Sequence, residues 1–459
     1  MRAGRASLVA LLGVNLAGCV AYAPAPPHTE AFAPAFDART VPQRPAGEAW
    51  SGADLLAAAA QQNPQVAQAR AAYATALAAA RAAKAAPGPN LTLTAEYAAD
   101  SPHWGYQAAA DIPLDLGARR DARITTANLQ ALQAWYDLGE ALWSVRNDLE
   151  KARAELDAAQ AEIRLAQQAV DLRAERAERL ERRVAEGQDA RPLALAAQAD
   201  LTSARRRLAA AEGRRESAYA DLAKALGVSP AAVKAMTLAP LSPRPPALSD
   251  LAAWRRDAAG SRRDVLKAIA DYDIAEQALR TQVATQYPSL SIGPSYFYDH
   301  GAKKYPASVG LTLPPWDLNR HAIQQAEAAR AQAGKALEQT QAAAVGQVDS
   351  TKAAFDTAWD DLKRNRERDV PLAQRTAQAA TRSRTAGETD RVDELAALGA
   401  EADARLALND AQLAASLATV DLEDALRRPF DPAQSAAIGA ELDRLKTAPV
   451  RTAARGGTR

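Results

Sequence analysis

Cysteine is almost missing from this 459-residue chain: there is one, beside four histidines. That excludes a disulfide framework and a Cys/His zinc cluster. Large side chains are also scarce, with five Phe and two Met. By length the chain would hold two or three ordinary domains, but it lacks the bulky material to fill their cores. A surplus of one charge is absent too. The 56 Lys and Arg against 55 Asp and Glu leave a net charge of +1, whereas nucleic-acid binding needs a strong basic excess. What is present is alanine, mixed with Glu, Gln, Arg, Lys and Leu, within a hydrophobic fraction of 48%. That mixture marks long helices or coiled coils. No phosphate-cradling glycine loop or nucleophile–base arrangement stands out, so no catalytic residue and no enzyme activity is expected.

The single cysteine sits where it carries information. A charged start, Met1-Arg2-Ala3-Gly4-Arg5, precedes a short apolar stretch too short to span a membrane. The stretch ends in Leu16-Ala17-Gly18-Cys19, which resembles a bacterial lipobox. That resemblance implies cleavage before Cys19 and acylation of its thiol, palmitate included, so the expected prosthetic chemistry is one covalent lipid and no other cofactor. Acyl chains add membrane affinity with every buried methylene. Residues 1–18 then form a lipoprotein signal peptide, and 19–47 a lipidated, Ala/Pro-rich arm.

The rest of the chain is written twice. Val66, Ala69, Tyr73 and Ala76 recur as Val265, Ala268, Tyr272 and Ala275, an offset of 199. Pro113-Leu114-Asp115-Leu116-Gly117 returns as Pro315-Trp316-Asp317-Leu318-Asn319 at an offset of 202. Gly187, Arg191, Leu195 and Ala196 return as Gly387, Arg391, Leu395 and Ala396 at an offset of 200. Near-constant spacing through separate blocks marks a duplication. The first structural repeat spans 48–230, with a β-hairpin at 90–114 and a coiled-coil hairpin turning near 187. A linker follows at 231–249. The second repeat spans 250–429, with a β-hairpin at 289–314 and a turn near 387, and 430–459 forms a C-terminal tail.

Within each repeat the pattern predicts helix, two strands, a very long helix, a glycine break and another long helix. Leu91, Leu93, Ala95 and Tyr97 alternate with polar residues, as do Tyr106, Ala108, Ala110 and Ile112, the period-2 pattern of a two-faced strand. The stretch 118–186 contains no proline and would reach about 100 Å as one helix. Pro371 falls inside the corresponding helix of the second repeat, opposite Asp171, so a kink or break is expected in one repeat only. Four strands per chain, each with one apolar face, suit a transmembrane barrel wall. Four cannot close a barrel, and open edges do not persist in lipid, so several copies must contribute. Tyr296, Phe297 and Tyr298, with Trp104 and Tyr106, are candidates for an interfacial girdle. Arg176, Glu178, Arg179 and Arg182 read as a solvated coiled-coil face.

With these motifs in view, the span 46–429 resembles the TolC-like outer-membrane efflux protein family. The carriers are Asn63-Pro64-Gln65-Val66, the Pro113-x-Asp115-x-Gly117 and Pro315-x-Asp317-x-Asn319 turns joining barrel to tunnel, and the paired Gly187 and Gly387 segments. The resemblance implies a mainly α fold with a small transmembrane β part: a homotrimer with a twelve-stranded barrel in outer-membrane lipid and a helical tunnel in the periplasm of a Gram-negative bacterium. It implies a passive exit duct completed by a periplasmic adaptor and an inner-membrane transporter of the resistance-nodulation-division type. The adaptor would dock on Gly187, Gln188, Asp189 and Arg191, and on Gly387, Glu388, Asp390 and Arg391. Asp393, six residues past the tip glycine, is the first candidate for an acidic pore constriction, and Glu394 the second. The turn around Trp316 looks like metal-efflux members of the CzcC/CusC kind, though His28, His103, His300 and His321 form no ligand cluster; drug export and type I protein secretion stay open as cargo. A periplasmic coiled-coil lipoprotein without a channel is the competing reading. A lipid-anchored adaptor is a third, but its lipoyl-like and small β-domains are not found.

Overall fold

The computed structural model describes residues 22, 24, 26, 29–41, 48–99, 101–115, 117–241 and 251–447. The lipobox and Cys19 lie outside the described residues, as do residues 242–249 of the linker and residue 250. The chain forms two units, Met1–Thr40 and Val41–Arg459. In the first, helix α1 (Phe32–Asp37) stacks Phe32 on Phe36 at 5.9 Å, with the Arg39 guanidinium 5.3 Å from the Phe36 ring.

The second unit opens with α2 (Gly52–Gln62) and α3 (Pro64–Ala82). Ser51 caps α2 in a reciprocal box with Asp54, which satisfies two orphan amides. Asn63 then ends α2 and caps α3, where Pro64 fits the first turn. Strands β1 (Asn90–Tyr97) and β2 (Trp104–Pro113) follow. Next come α4 (Ala118–Ala185), 68 residues long, and α5 (Arg191–Leu226), packed along it, then the short α6 (Pro230–Lys234). The second repeat begins with α7 (Leu251–Ser261) and α8 (Arg263–Ala284). After strands β3 (Ser289–Asp299), β4 (Ala302–Lys304) and β5 (Ala307–Thr312) comes α9 (Arg320–Arg364). A widened π turn, Asn365–Asp369, leads into α10 (Val370–Thr385), and α11 (Arg391–Leu426) closes the repeat.

The duplication extends to single hydrogen bonds. Asn63, just before α3, donates from Nδ2 to Ala225 O at 2.8 Å. Arg262, at the matching place before α8, donates from Nη1 to Ala425 O at 2.8 Å. Each ties the start of one helix to the end of another, 162 and 163 residues away. The main apolar cluster gathers Leu55, Leu138, Leu142, Trp143, Leu156 and Leu226 around this junction.

The segment 430–459, expected as a tail, carries a further helix, α12 (Pro432–Thr447). Its Ile438 and Leu445 join the main cluster, and Gln434 accepts from buried Arg146 at 2.6 Å. Arg146 also pairs with buried Glu423 of α11 at 2.5 Å, so α4, α11 and α12 meet on one guanidinium.

The interruption expected at Pro371 takes the form of a π turn just before it. Proline lacks an amide, and its ring crowds the carbonyl four residues back. The chain widens to a π turn in which Val370 N–H reaches Asn365 O, so the helical path is widened without ending.

The strands form one sheet in the order β1-β2-β3-β4, with β5 also on β3. Four strands were expected. Among the described residues there are five, because the return strand of the second hairpin is divided by Pro306, which has no amide to donate to the ladder. β4 and β5 share one position beside β3, leaving that position and β1 as the two edges.

Candidate functional site

Two regions carry functional geometry: the sheet and the far turns of the long helices. In the sheet, register decides which residues share a face, since directly opposed residues point the same way. Leu93 opposes Ala108, Ala108 opposes Tyr296, and Ile112 opposes Ile292, which opposes Val309. One face is therefore apolar across β1, β2, β3 and β5, while β4 adds Lys303 to it opposite Tyr298. Leu93 is 72% and Val309 74% exposed on it. The other face holds Thr92, Thr94, Glu96, Gln107, Ser291, Ser308 and Thr312, with Gly293 and Gly310 packed against serines.

At one level of the apolar face the rings of Tyr97, Trp104, Tyr106 and Tyr298 follow one another at 5.1, 6.1 and 6.3 Å. Phe297 does not belong to this row. It opposes Gln107 on the polar face, because side chains alternate along β3, and Lys304 covers its ring at 5.7 Å. At the opposite end, Tyr287 and the fully exposed Trp316 flank the joins to the helices. Among the described residues, no helix is long and apolar enough to cross a membrane, which says nothing about the strands.

The two proline–aspartate turns aim the chain from sheet to helix. Gly117 sits at φ 73, ψ −153 as the cap of α4, a backbone region that side chains disfavour. Its counterpart Asn319 is left-handed at φ 60 and donates from Nδ2 to Gln282 O at 2.9 Å. Asp115 pairs with Arg123, and Asp317 Oδ1 accepts from Asn319 N–H at 3.1 Å. Pro113 ends β2, while Pro315 accepts from Leu318 N–H at 2.9 Å.

At the far turns, Gly187 (φ 73) and Gly387 (φ 79) adopt the same left-handed closure. Gln188 N–H reaches Arg183 O at 2.8 Å, and Glu388 N–H reaches Ser383 O at 2.9 Å. These are matching Schellman caps. The side chains around them differ. Arg183, near the first turn, pairs with Asp189 at 2.7 Å and with Asp390 of the second. Asp390 also accepts from Asp393 N–H at 2.9 Å. Arg391 donates to both carboxylate oxygens of Glu175, at 3.0 and 2.8 Å, and to Glu394 at 2.7 Å. Arg384 adds a second cation to Glu394. The double hydrogen bond from Arg391, with Arg179 alongside, holds the Glu175 carboxyl down to about 2; Arg391 is raised in return.

The expected site residues thus divide. Gln188, Asp189, Glu388 and Asp390 lie in the turns as expected, and Asp393 is exposed. Glu394 is 2% exposed and paired with two arginines, so within this chain it is not the unpaired inward acid of a constriction. Arg391 is a latch, whereas its counterpart Arg191 is exposed. Glu175, Arg183 and Arg384 were not expected here. Their signal was available: position 175 is glutamate in one repeat and its counterpart 375 is arginine in the other. Arg176, Arg179 and Arg182 make pairs with Asp200, Glu175 and Glu178 along the coiled coil. Among the described residues, no group of three or more His, Cys, Asp or Glu side chains is placed to hold a metal.

The family model described as "Outer membrane efflux protein" matches residues 55–228 and 254–426, which are the two repeats. A curated relative, Protein CyaE of Bordetella pertussis, is 31% identical over 193 residues, covering 40% of this chain and 39% of the relative. The match therefore spans well under half of that relative's length. Among solved structures, a membrane protein from Pseudomonas aeruginosa aligns with a TM-score of 0.69 at 22% identity, over 85% of this chain and 96% of that one. The outer membrane protein VceC of Vibrio cholerae aligns at 0.68 and 19% identity, over 82% and 96%. At these identities the structures establish the shared fold: helical tunnel and barrel elements in one chain.

Proposed function

The chain belongs to the outer membrane efflux protein family, and on that premise we propose that it is the outer-membrane exit duct of a tripartite efflux system. The observation that carries this is the sheet: one face apolar across β1, β2, β3 and β5, with Lys303 of β4 only at its aromatic end, a largely polar opposite face, and two edges. Such a sheet is stable in lipid only when its edges are paired, and a second copy supplies matching edges. Four strand positions in each of three copies give a twelve-stranded barrel, with the apolar face toward lipid and the polar face toward the lumen. The exposed rings of Tyr97, Trp104 and Tyr106 then stand at one membrane interface, and Trp316 and Tyr287 at the other.

In this reading the long helices extend the barrel into a periplasmic tunnel, and the turns at Gly187 and Gly387 meet a periplasmic adaptor joined to a transporter of the resistance-nodulation-division type. An acyl chain on Cys19 anchors the N-terminus to the outer membrane. Metal cations or drug-sized molecules are the cargo. The test is the mass of the detergent-extracted full chain together with its conductance in planar bilayers. A trimer that conducts supports the duct; a particle that inserts as a trimer and stays silent, even with the Glu175–Arg391 latch removed, overturns it.

A further inference from the structure

The sheet carries two adjacent lysines with opposite surroundings. Lys304 lies on the polar face, where its ammonium pairs with Asp299 and covers the Phe297 ring at 5.7 Å. Lys303 opposes Tyr298 and so belongs to the apolar face. It is exposed, and among the described residues its ammonium has no ion-pair partner. Asp299, close by in the same hairpin, is already taken by Lys304 and by His300 Nδ1 at 3.1 Å.

Register accounts for what surrounds Lys303. Ala95, Tyr106, Tyr298 and Lys303 run across one level of the apolar face. One level nearer the helices stand Leu93, Ala108 and Tyr296, with the Tyr305 ring 5.5 Å from Tyr296. Tyr305 is 77% exposed. Nearer still, Ile112, Ile292 and Val309 share a level. Among the described residues no carboxylate shares this face, so Lys303 is an uncompensated charge on an otherwise apolar wall. A cation at a hydrocarbon boundary is costly without a counter-ion, and the wall itself supplies none. The lysine stem can lie along apolar surface while its ammonium reaches the headgroup layer. The missing anion is therefore one that this layer provides.

Position along the strands selects the leaflet. The helices join the sheet at its other end, whereas Lys303 stands beside the hairpin turn His300-Gly301. This step rests on the duct proposed above: with the helices in the periplasm, the turn end lies in the outer leaflet, which is built of phosphorylated glucosamine lipids. We propose that Lys303 and the tyrosines around it form a binding site for the phosphate-bearing sugar headgroup of that glycolipid. The ammonium donates to phosphate oxygens, and the exposed tyrosines offer ring faces and hydroxyls to the sugar. The acyl chains of the same molecule lie on the leucine, isoleucine and valine levels below. Phosphatidylglycerol has the phosphate and the chains but no sugar ring for the tyrosines to engage.

The adjacent lysines provide the test, because the same substitution falls on opposite faces. Detergent-purified full-length trimer is titrated with bisphosphorylated lipid A, with its dephosphorylated form and with phosphatidylglycerol, and bound lipid is counted by native mass spectrometry. Wild type should hold bisphosphorylated lipid A more tightly than either other lipid, and excess inorganic phosphate should not displace it. Lys303→Gln should weaken that binding about tenfold, the order of one charge-assisted hydrogen bond. Lys304→Gln should change it less than about twofold. Tyr305→Ala should weaken lipid A while leaving phosphatidylglycerol unchanged. Equal binding of phosphatidylglycerol, displacement by phosphate, or equal losses in the two lysine variants would overturn this site while a conducting trimer leaves the duct standing. Absence of a wild-type trimer would overturn the duct, and this site with it.

Discussion

At the residue scale, conformation and charge separate positions that the duplication makes look equivalent. Gly227 ends α5 at φ 76, and a Cβ there would meet Gln62 O at 2.5 Å and the Asn63 Cα at 2.9 Å. Gly227→Ala should therefore destabilise by about 2 kcal/mol or more, from left-handed strain and a backbone collision. Gly213, inside α5 with open space around it, should respond in the other direction, Gly213→Ala stabilising by roughly 0.5–1 kcal/mol. Urea midpoints of the two variants check both signs. The second repeat has Arg427 where the first has Gly227. It too is left-handed, at φ 50, and is held by Glu140 at 3.0 Å and Asp424 at 2.6 Å. The Glu175 latch has its own pH signature. Its carboxyl is depressed from an ordinary 4.5 to about 2, so its contribution is complete above 4.5 and disappears as pH falls toward 2. Wild type should exceed Glu175→Gln in stability at neutral pH, and the gap should close across that window. A constant gap from pH 7 to pH 2 would mean that packing, not the ion pair, holds the tips.

At the element scale, the sequence disclosed what depends on local pattern. Proline and glycine positions located the breaks after Gln62, at Gly187, at Gly227 and before Pro371, and alternation located both hairpins. Contacts between distant segments were less legible. The end of the chain showed no strong periodic signal, yet α12 forms and seats Ile438 and Leu445 in the core. Its anchor, Arg146, lies nearly 290 residues away and has no sequence motif of its own. The tip latch escaped for a similar reason: Arg183 and Asp390 are 207 residues apart, and a run of charges on a coiled coil looks alike whether it faces water or a partner. Phe297 was misplaced because three aromatics in succession cannot all share one face of a strand. Arg146 offers a direct test. Its pair with Glu423 is almost wholly buried, at 3% and 7% side-chain exposure, so Arg146→Ala leaves an uncompensated carboxylate. A loss of about 3–5 kcal/mol is expected, with release of α12 detectable as hydrogen exchange at 432–447 before the rest of the chain opens.

At the scale of the whole molecule, the alanine-rich composition and the sparse strands divide the work between two solvents. Helices that pack on one another need small contact residues and a charged exterior, whereas the sheet needs one face that tolerates hydrocarbon. The sheet makes this division testable with neighbouring residues. Leu93 and Thr94 are adjacent in β1, opposite Ala108 and Gln107, and so lie on different faces. If the apolar face meets lipid, Leu93→Lys places a cation among acyl chains near mid-strand, at about 2–4 kcal/mol for each copy. Three copies incur that cost together, so trimer yield in outer-membrane fractions should collapse. Thr94→Lys puts the same charge in the aqueous lumen near Glu96. It should leave trimer yield unchanged and shift ion selectivity in planar bilayers toward anions. Were the apolar face instead the lumen or a protein contact, Thr94→Lys would be the variant that fails to assemble. The pair of measurements therefore fixes which way the wall faces without reference to any partner.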